Sequence, residues 1–226
     1  MAALSTLAIA LNRRQLPIHW RGLELWRCQS SPGLFSSSTV RASGRSDAFR
    51  SFMSVLGRQA ILRGIEQGAI VITPFNPDLL GPASIDLTLA SSFRVFRKVH
   101  QVIAVTEHTD YRELTDKMEV PSGGHLLIMP GETILGITQE RLRLGPGLCG
   151  WLEGRSRFAR LGLMVHISAP FMGPGIDSQQ VLEMSNFGPA PLAVSPGTPI
   201  CQFVFQKLDG DERYEGCFAG QTQDSF

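Results

Sequence analysis

GPGLCGWLEGRSRFARLGLMVHISAPFMGPGIDSQQVLEMSNFGPAPLAVSPGTPICQFVFQ, residues 145–206, decides the fold. Apolar runs of strand length stand at 148–153, 163–168, 179–185, 191–195 and 200–207. They are punctuated by Gly145-Pro146-Gly147, Gly173-Pro174-Gly175, Gly188-Pro189 and Pro196-Gly197. Proline presets φ and glycine supplies positive φ, so such pairs turn the chain. Short strands between turns predict an all-β sandwich or barrel. Upstream the pattern continues, with strands expected at 69–73, 84–89, 93–96, 100–106, 125–129 and 132–138 and a turn at Pro130-Gly131. Ser84-Ile85-Asp86-Leu87-Thr88-Leu89 alternates as a half-buried strand does. The one substantial helix is expected over 54–67, where Val55, Ile61, Leu62 and Ile65 fall near helical spacing and Gly68 stands ready to close it. Strands do not alternate with helices, which argues against a doubly wound fold. There is no internal repeat.

The chain has 226 residues, 43% apolar and 18% charged, enough for one well-packed domain with an appendage. Net charge is +1, but residues 1–45 hold six arginines against the single acid Glu24, leaving 46–226 at −4. An acidic body without a basic stripe excludes a nucleic-acid duplex as the natural partner, since phosphate neutralisation needs clustered cations. A single nucleotide needs only a few local arginines. Residues 1–45, rich in Arg, Ser, Ala and Leu, have the composition of an organellar transit peptide, plastid favoured over mitochondrion. The alternative is an uncleaved disordered tail on a cytoplasmic protein. Cys28, Cys149, Cys201 and Cys217 stand far apart, and suggest neither a disulfide framework nor a zinc site. No apolar run approaches the roughly 18 residues of a membrane helix, so the chain is expected to be soluble.

Three segments offer chemistry. Gly154-Arg155-Ser156-Arg157-Phe158-Ala159-Arg160-Leu161-Gly162 packs three guanidinium forks and a hydroxyl beside glycines, a set that suits a polyphosphate, although an Arg-rich turn taken alone is more often a solvated edge. His166 interrupts an apolar run; the plain reading is a core histidine holding neighbouring backbone or carboxylate groups. Glu183 is an acid in the apolar strand Val181-Leu182-Glu183-Met184. If buried, its pKa rises and it becomes the leading general acid/base; if it faces solvent it does nothing, and period 2 leaves the face open. Zinc deaminases carry H-x-E and P-C-x-x-C, and neither motif is present.

Taken together, Gly154-Arg155-Ser156-Arg157-Phe158-Ala159-Arg160-Leu161-Gly162-Leu163, Val165-His166-Ile167-Ser168-Ala169, Pro174-Gly175 and Val181-Leu182-Glu183 resemble, in order and without gaps, the dCTP deaminase run G-R-S-S-x-A-R-x-G-L, V-H-x-T-A, D-P-G and V-L-E. A looser likeness covers about residues 54–222. The resemblance implies a mainly β, dUTPase-like distorted β-barrel or jelly roll with one short N-terminal helix, assembled as a homotrimer with active sites between subunits. It implies zinc-independent hydrolysis of dCTP to dUTP and ammonia in pyrimidine deoxynucleotide synthesis. Glu183 would be the catalytic general acid/base, with Ser156 and Arg160 orienting the water and the Ala169 carbonyl polarising it. Arg155 would bind phosphate, with Arg157, Val181, Leu182, Tyr214 and Gln221 as further substrate contacts. Magnesium would travel with the triphosphate, with no metal ligands from the protein.

The chain departs from that family at several points. Arg157 replaces a second serine. Gly173 replaces the aspartate that meets the 3′-hydroxyl, and which aligns with the water-activating base of dUTPases. Asp177, four residues on, could replace that base only in a rearranged loop. The tail Tyr214–Thr222 is shortened and has Cys217 where a lysine is usual. A dUTPase, a bifunctional dUMP-forming enzyme or an inactive nucleotide-binding module are the alternatives.

Overall fold

The computed structural model describes residues 54–166, 168–214, 216 and 220–226. The transit-peptide-like segment 1–45 and Cys217 lie outside them. Eleven strands and two helices follow the chain: α1 Arg58–Glu66, β1 Ile70–Thr73, β2 Ile85–Phe96, β3 Thr115–Glu119, β4 Leu126–Ile128, β5 Thr133–Leu144, β6 Leu148–Gly154, α2 Ser156–Ala159, β7 Leu163–Val165, β8 Phe171–Met172, β9 Asp177–Asn186, β10 Leu192–Val194 and β11 Pro199–Lys207.

Nine strands form one curled antiparallel sheet in the order β7-β9-β5-β2-β11-β6-β8, with β1 branching from β5 and β3 from β2. β4 and β10 make a separate pair. Strand alternation sends Leu87, Leu89, Phe93, Ile134, Leu142, Leu152, Leu182, Met184, Phe203 and Phe205 into one core, against which α1 lays Ile61. Each fully buried Leu, Ile or Phe contributes about 1.5–3 kcal/mol, so this face sets the register. A smaller cluster of Ala90, Leu135, Ile137 and Phe226 forms elsewhere, with Tyr111 and Val181 packed on it.

The mainly β class is as expected, with informative exceptions. The helix begins at Arg58, not 54, because the Leu56 N–H donates to the Phe205 carbonyl at 2.8 Å and Val55 bridges Gln206, tying 54–56 to β11. It ends where expected, with Gly68 at φ +70°. Residues 84–89 and 93–96 are one strand, β2, carried through an irregularity between Leu89 and Phe93. The expected strand at 100–106 does not form: Val102 and Val105 are 98% and 95% exposed, with no sheet to cover them. The ladder is made instead by β3, Thr-Asp-Lys-Met-Glu, a polar edge in which only Thr115 is buried. The strand read to 168 stops at Val165, and the two-residue β8 follows where none was expected. No helix of the described residues is long and apolar enough to cross a membrane.

Candidate active site

β9 carries the carboxylate. Leu182 and Met184 enter the core, while Gln179, Val181 and Glu183 take the other face, as the two-residue strand period requires. That face borders a cavity of about 490 Å³, within the range of small-molecule sites. Phe96, Tyr111, Leu135 and Val181 supply apolar lining. His166, Ala169, Gln179 and Glu183 supply polar groups, and Gly173, Tyr214 and Gln221 also border the space.

Glu183 is gripped by the segment after β7. His166 takes φ +54°, uncommon for a residue with a side chain, and its N–H donates to the Glu183 carbonyl at 2.8 Å. Its buried ring spans two partners: Nε2 is 2.9 Å from the Ala169 carbonyl and Nδ1 is 2.8 Å from Glu183 Oε2. A carbonyl only accepts, so Nε2 carries a proton. The Nδ1–Oε2 contact is short but not aligned as a good hydrogen bond.

This changes the expected ionisation. Burial does pull the Glu183 pKa up, but the hydrogen-bonding and charge contributions of His166 outweigh it and hold the carboxyl below its ordinary value. The raised carboxyl pKa expected for Glu183 from burial is therefore corrected to a lowered one. Its side chain is 39% exposed against 5% for His166, so the carboxylate opens to the cavity while the imidazole backs it.

The arginine segment lies elsewhere. Ser156–Ala159 makes one helical turn, and Arg155 precedes it. Arg155 Nη2 is 2.8 Å from Asp86 Oδ2 and Nη1 donates to the Pro199 carbonyl at 2.6 Å, while its guanidinium lies 5.9 Å from the Phe158 ring centroid. The Asp86 pKa is raised, because burial outweighs the attraction of Arg155 and Arg157. Ser156, Arg157 and Arg160 are exposed. None of these four residues lines the cavity. The two ends of the sequence motif thus do not share this cavity.

Of the other expected contacts, Ala169, Val181, Tyr214 and Gln221 border the cavity. Leu182 is corrected: its side chain is fully buried in the core and offers nothing to a ligand there. The Tyr214 N–H donates to the Pro174 carbonyl at 2.7 Å and its side chain packs over Gly173, while Gln221 Nε2 donates to Tyr111 Oη at 3.2 Å. Asp177 does not line the cavity; Arg141 Nε donates to it at 2.7 Å and holds its carboxyl below the usual range. Cys149 and Cys201 are free and buried, and burial raises both thiols. Among the described residues no three His, Cys, Asp or Glu side chains come together as a metal site.

Sequence reading missed Tyr111, Leu135 and Gln179 as cavity residues. Tyr111 had a signal: it starts a 3-10 turn whose Asp110 side chain accepts from the Arg112 N–H at 2.9 Å, with Glu113 three positions after the cap.

The family described as dCTP deaminase-like matches residues 55–208. The dCTP deaminase, dUMP-forming, of Methanopyrus kandleri is 35% identical over 161 residues, covering 69% of this chain and 83% of its own. The dCTP deaminase of Haloarcula marismortui is 38% identical over 159 residues, covering 68% and 80%. The crystal structure of 2′-deoxycytidine 5′-triphosphate deaminase from Agrobacterium tumefaciens superposes with a TM-score of 0.54 at 18% identity, over 69% of this chain and 48% of that one. That last likeness shows a shared β-fold, and this chain spans about half the length of that structure. With the match to residues 55–208 and relatives at this identity, the chain belongs to the dCTP deaminase-like family.

Proposed function

We propose that this protein hydrolyses dCTP to dUTP and ammonia, with Glu183 as the base. The observation that carries the reading is an ionised carboxylate, backed by His166, facing a cavity of nucleoside size. Glu183 takes a proton from water as the water oxygen bonds to C4 of cytosine. It passes that proton to N3, then moves the second water proton from the C4 hydroxyl to the amino nitrogen, so that the C4–N bond breaks, ammonia leaves and the C4 carbonyl forms. The Ala169 carbonyl, already accepting from His166, has a second lone pair for the water. Positioned proton transfer of this kind supplies about 10²–10⁴ in rate. Magnesium enters as part of the substrate, carried by the triphosphate oxygens; among the described residues the one carboxylate lining the cavity, Glu183, stands 2.8 Å from His166.

We also propose that the site is completed by a second copy in a homotrimer. Arg155, Ser156 and Arg160 belong to the same matched motif as Glu183 yet do not border its cavity, so in this reading a neighbouring copy presents them. The Arg- and Ser-rich residues 1–45 support delivery to an organelle, plastid over mitochondrion.

Relatives named dUMP-forming favour a second reading, in which the same site goes on to release pyrophosphate. Gly173 provides no side chain for that step, and Asp177 is tied to Arg141. The dUTP-forming reading is therefore preferred. Incubating the full chain with magnesium and dCTP, then with dUTP, and resolving the products tests both. Ammonia with dUTP supports the proposal. Conversion of dUTP to dUMP establishes the second reading, and nucleotide binding without turnover leaves a binding module.

A further inference from the structure

Gln221 borders the cavity, and residues 220–226 around it are bound to the sheet. The Gln179 N–H donates to the Gln221 carbonyl at 2.9 Å, extending β9 with a strand-like contact beyond the reach of β7. The Gln223 N–H donates back to Gln179 Oε1 at 2.6 Å, Lys117 Nζ donates to the Gln223 carbonyl at 2.7 Å, and Gln223 Nε2 donates to Ser91 Oγ at 3.2 Å. A turn follows in which the Phe226 N–H donates to the Thr222 carbonyl at 3.0 Å. That turn drives the Phe226 ring, 1% exposed, into the cluster of Ala90, Leu135 and Ile137.

The ring sits behind the cavity wall. Leu135, Tyr111 and Val181 belong both to the cavity lining and to the cluster around Phe226. Arg94 completes the seat: Nη2 donates to the Phe226 carbonyl at 3.1 Å, Nη1 donates to Thr115 Oγ1 at 3.1 Å, and the guanidinium stands 5.7 Å from the centroids of both Phe226 and Tyr111. Cation–π contact with two rings fixes their mutual position. Tyr111 in turn holds Gln221.

We infer that Phe226 and Arg94 are positioning residues for nucleotide binding: they seat residues 220–226 on β9 and so place Tyr111 and Gln221 opposite Glu183. This rests on the deaminase reading of the site and goes beyond it, because neither residue borders the cavity. Removing the ring leaves the wall unsupported without touching the carboxylate or its histidine. Binding should suffer and proton transfer should not.

The experiment compares the full-length wild-type chain with Phe226→Ala, Phe226→Leu and Arg94→Lys. Amide hydrogen exchange is followed at Gln179 and, as a core control, at Phe93 and Ile134. For Phe226→Ala the inference predicts exchange at Gln179 faster by about tenfold or more with the core amides unchanged. It predicts KM for dCTP up about tenfold with kcat within about twofold. Phe226→Leu should recover most of both effects. Unchanged exchange at Gln179 overturns the inference whether or not the protein deaminates dCTP. Faster exchange with KM unchanged overturns the positioning role, as does an equal loss of protection in the core. If the wild type does not turn over dCTP, the deaminase reading fails on its own, and exchange at Gln179 with and without Phe226 still decides whether the seat exists.

Discussion

The surroundings of Glu183 and of Arg155 differ in how much of their chemistry one copy of the chain supplies. Glu183 has its partner, its carbonyl neighbour and its cavity within a single subunit: His166 at 2.8 Å, Ala169 beyond it and about 490 Å³ of space in front. Arg155 has partners but does not line that cavity, with Asp86 and the Pro199 carbonyl occupying two arms of its fork, while Ser156 and Arg160 are exposed. Both come from one continuous run of sequence. The lesson is that adjacency in a motif is not adjacency in the fold: a continuous run can place a carboxylate at a cavity and leave its arginines off that cavity's lining.

The largest expected effect tests the Glu183 side. Glu183→Gln keeps the shape and removes the base, so kcat for dCTP should fall by about 10²–10⁴ with the fold intact by circular dichroism. Full activity in that variant would break the mechanism even in a true deaminase.

A smaller effect tests the hinge between the regions. Gly162 follows the arginine turn at φ +89°, and a Cβ there would lie 2.5 Å from the Gly188 backbone beyond β9. Gly162→Ala should cost about 1–3 kcal/mol in chemical denaturation, since both strain and overlap oppose it. A neutral result would mean that the two backbones part easily.

The smallest effect is a predicted flatness. The Glu183 pKa lies below its ordinary 4.5, so the group is a carboxylate throughout neutral and mildly acid pH. Its titration should leave no limb in kcat/KM between about pH 5 and 7, a range above the ordinary carboxylate value. A depressed carboxyl pKa stabilises the fold above the unfolded value, and that contribution is lost as pH falls through the folded one. The stability loss tied to Glu183 should therefore appear only below about pH 4.5 and be absent in Glu183→Gln. A limb near pH 6 that vanishes in Glu183→Gln would restore the raised-acid expectation.

Much of this was legible in the sequence because it rests on local chemistry. Pro-Gly turns and apolar runs located β4, β6, β7 and β9 to β11 to within about three residues and the start of β5, which runs on to Leu144 beyond the expected 138, and an acid among Val181, Leu182 and Met184 marked Glu183. What escaped depends on distant partners. β3 is polar and exists because β2 offers it an edge, whereas Val102 and Val105 read as strand but have no such edge. The face of Glu183 was ambiguous at period 2, and its ionisation depended on a histidine 17 residues earlier reached through a positive φ. Leu182 sits beside Glu183 in the motif but points into the core, which adjacency alone concealed.

The central claim is that the carboxylate of one copy and the arginine turn of another form one site. Mixing two inactive full-length variants, Glu183→Gln and Arg160→Ala, after joint unfolding and refolding tests it most directly. Random assembly into a ring places an intact carboxylate opposite an intact arginine turn at roughly a quarter of sites, so about a quarter of wild-type ammonia release from dCTP should return. No recovery from refolded, correctly sized oligomers would contradict the account and place the whole site within a single chain.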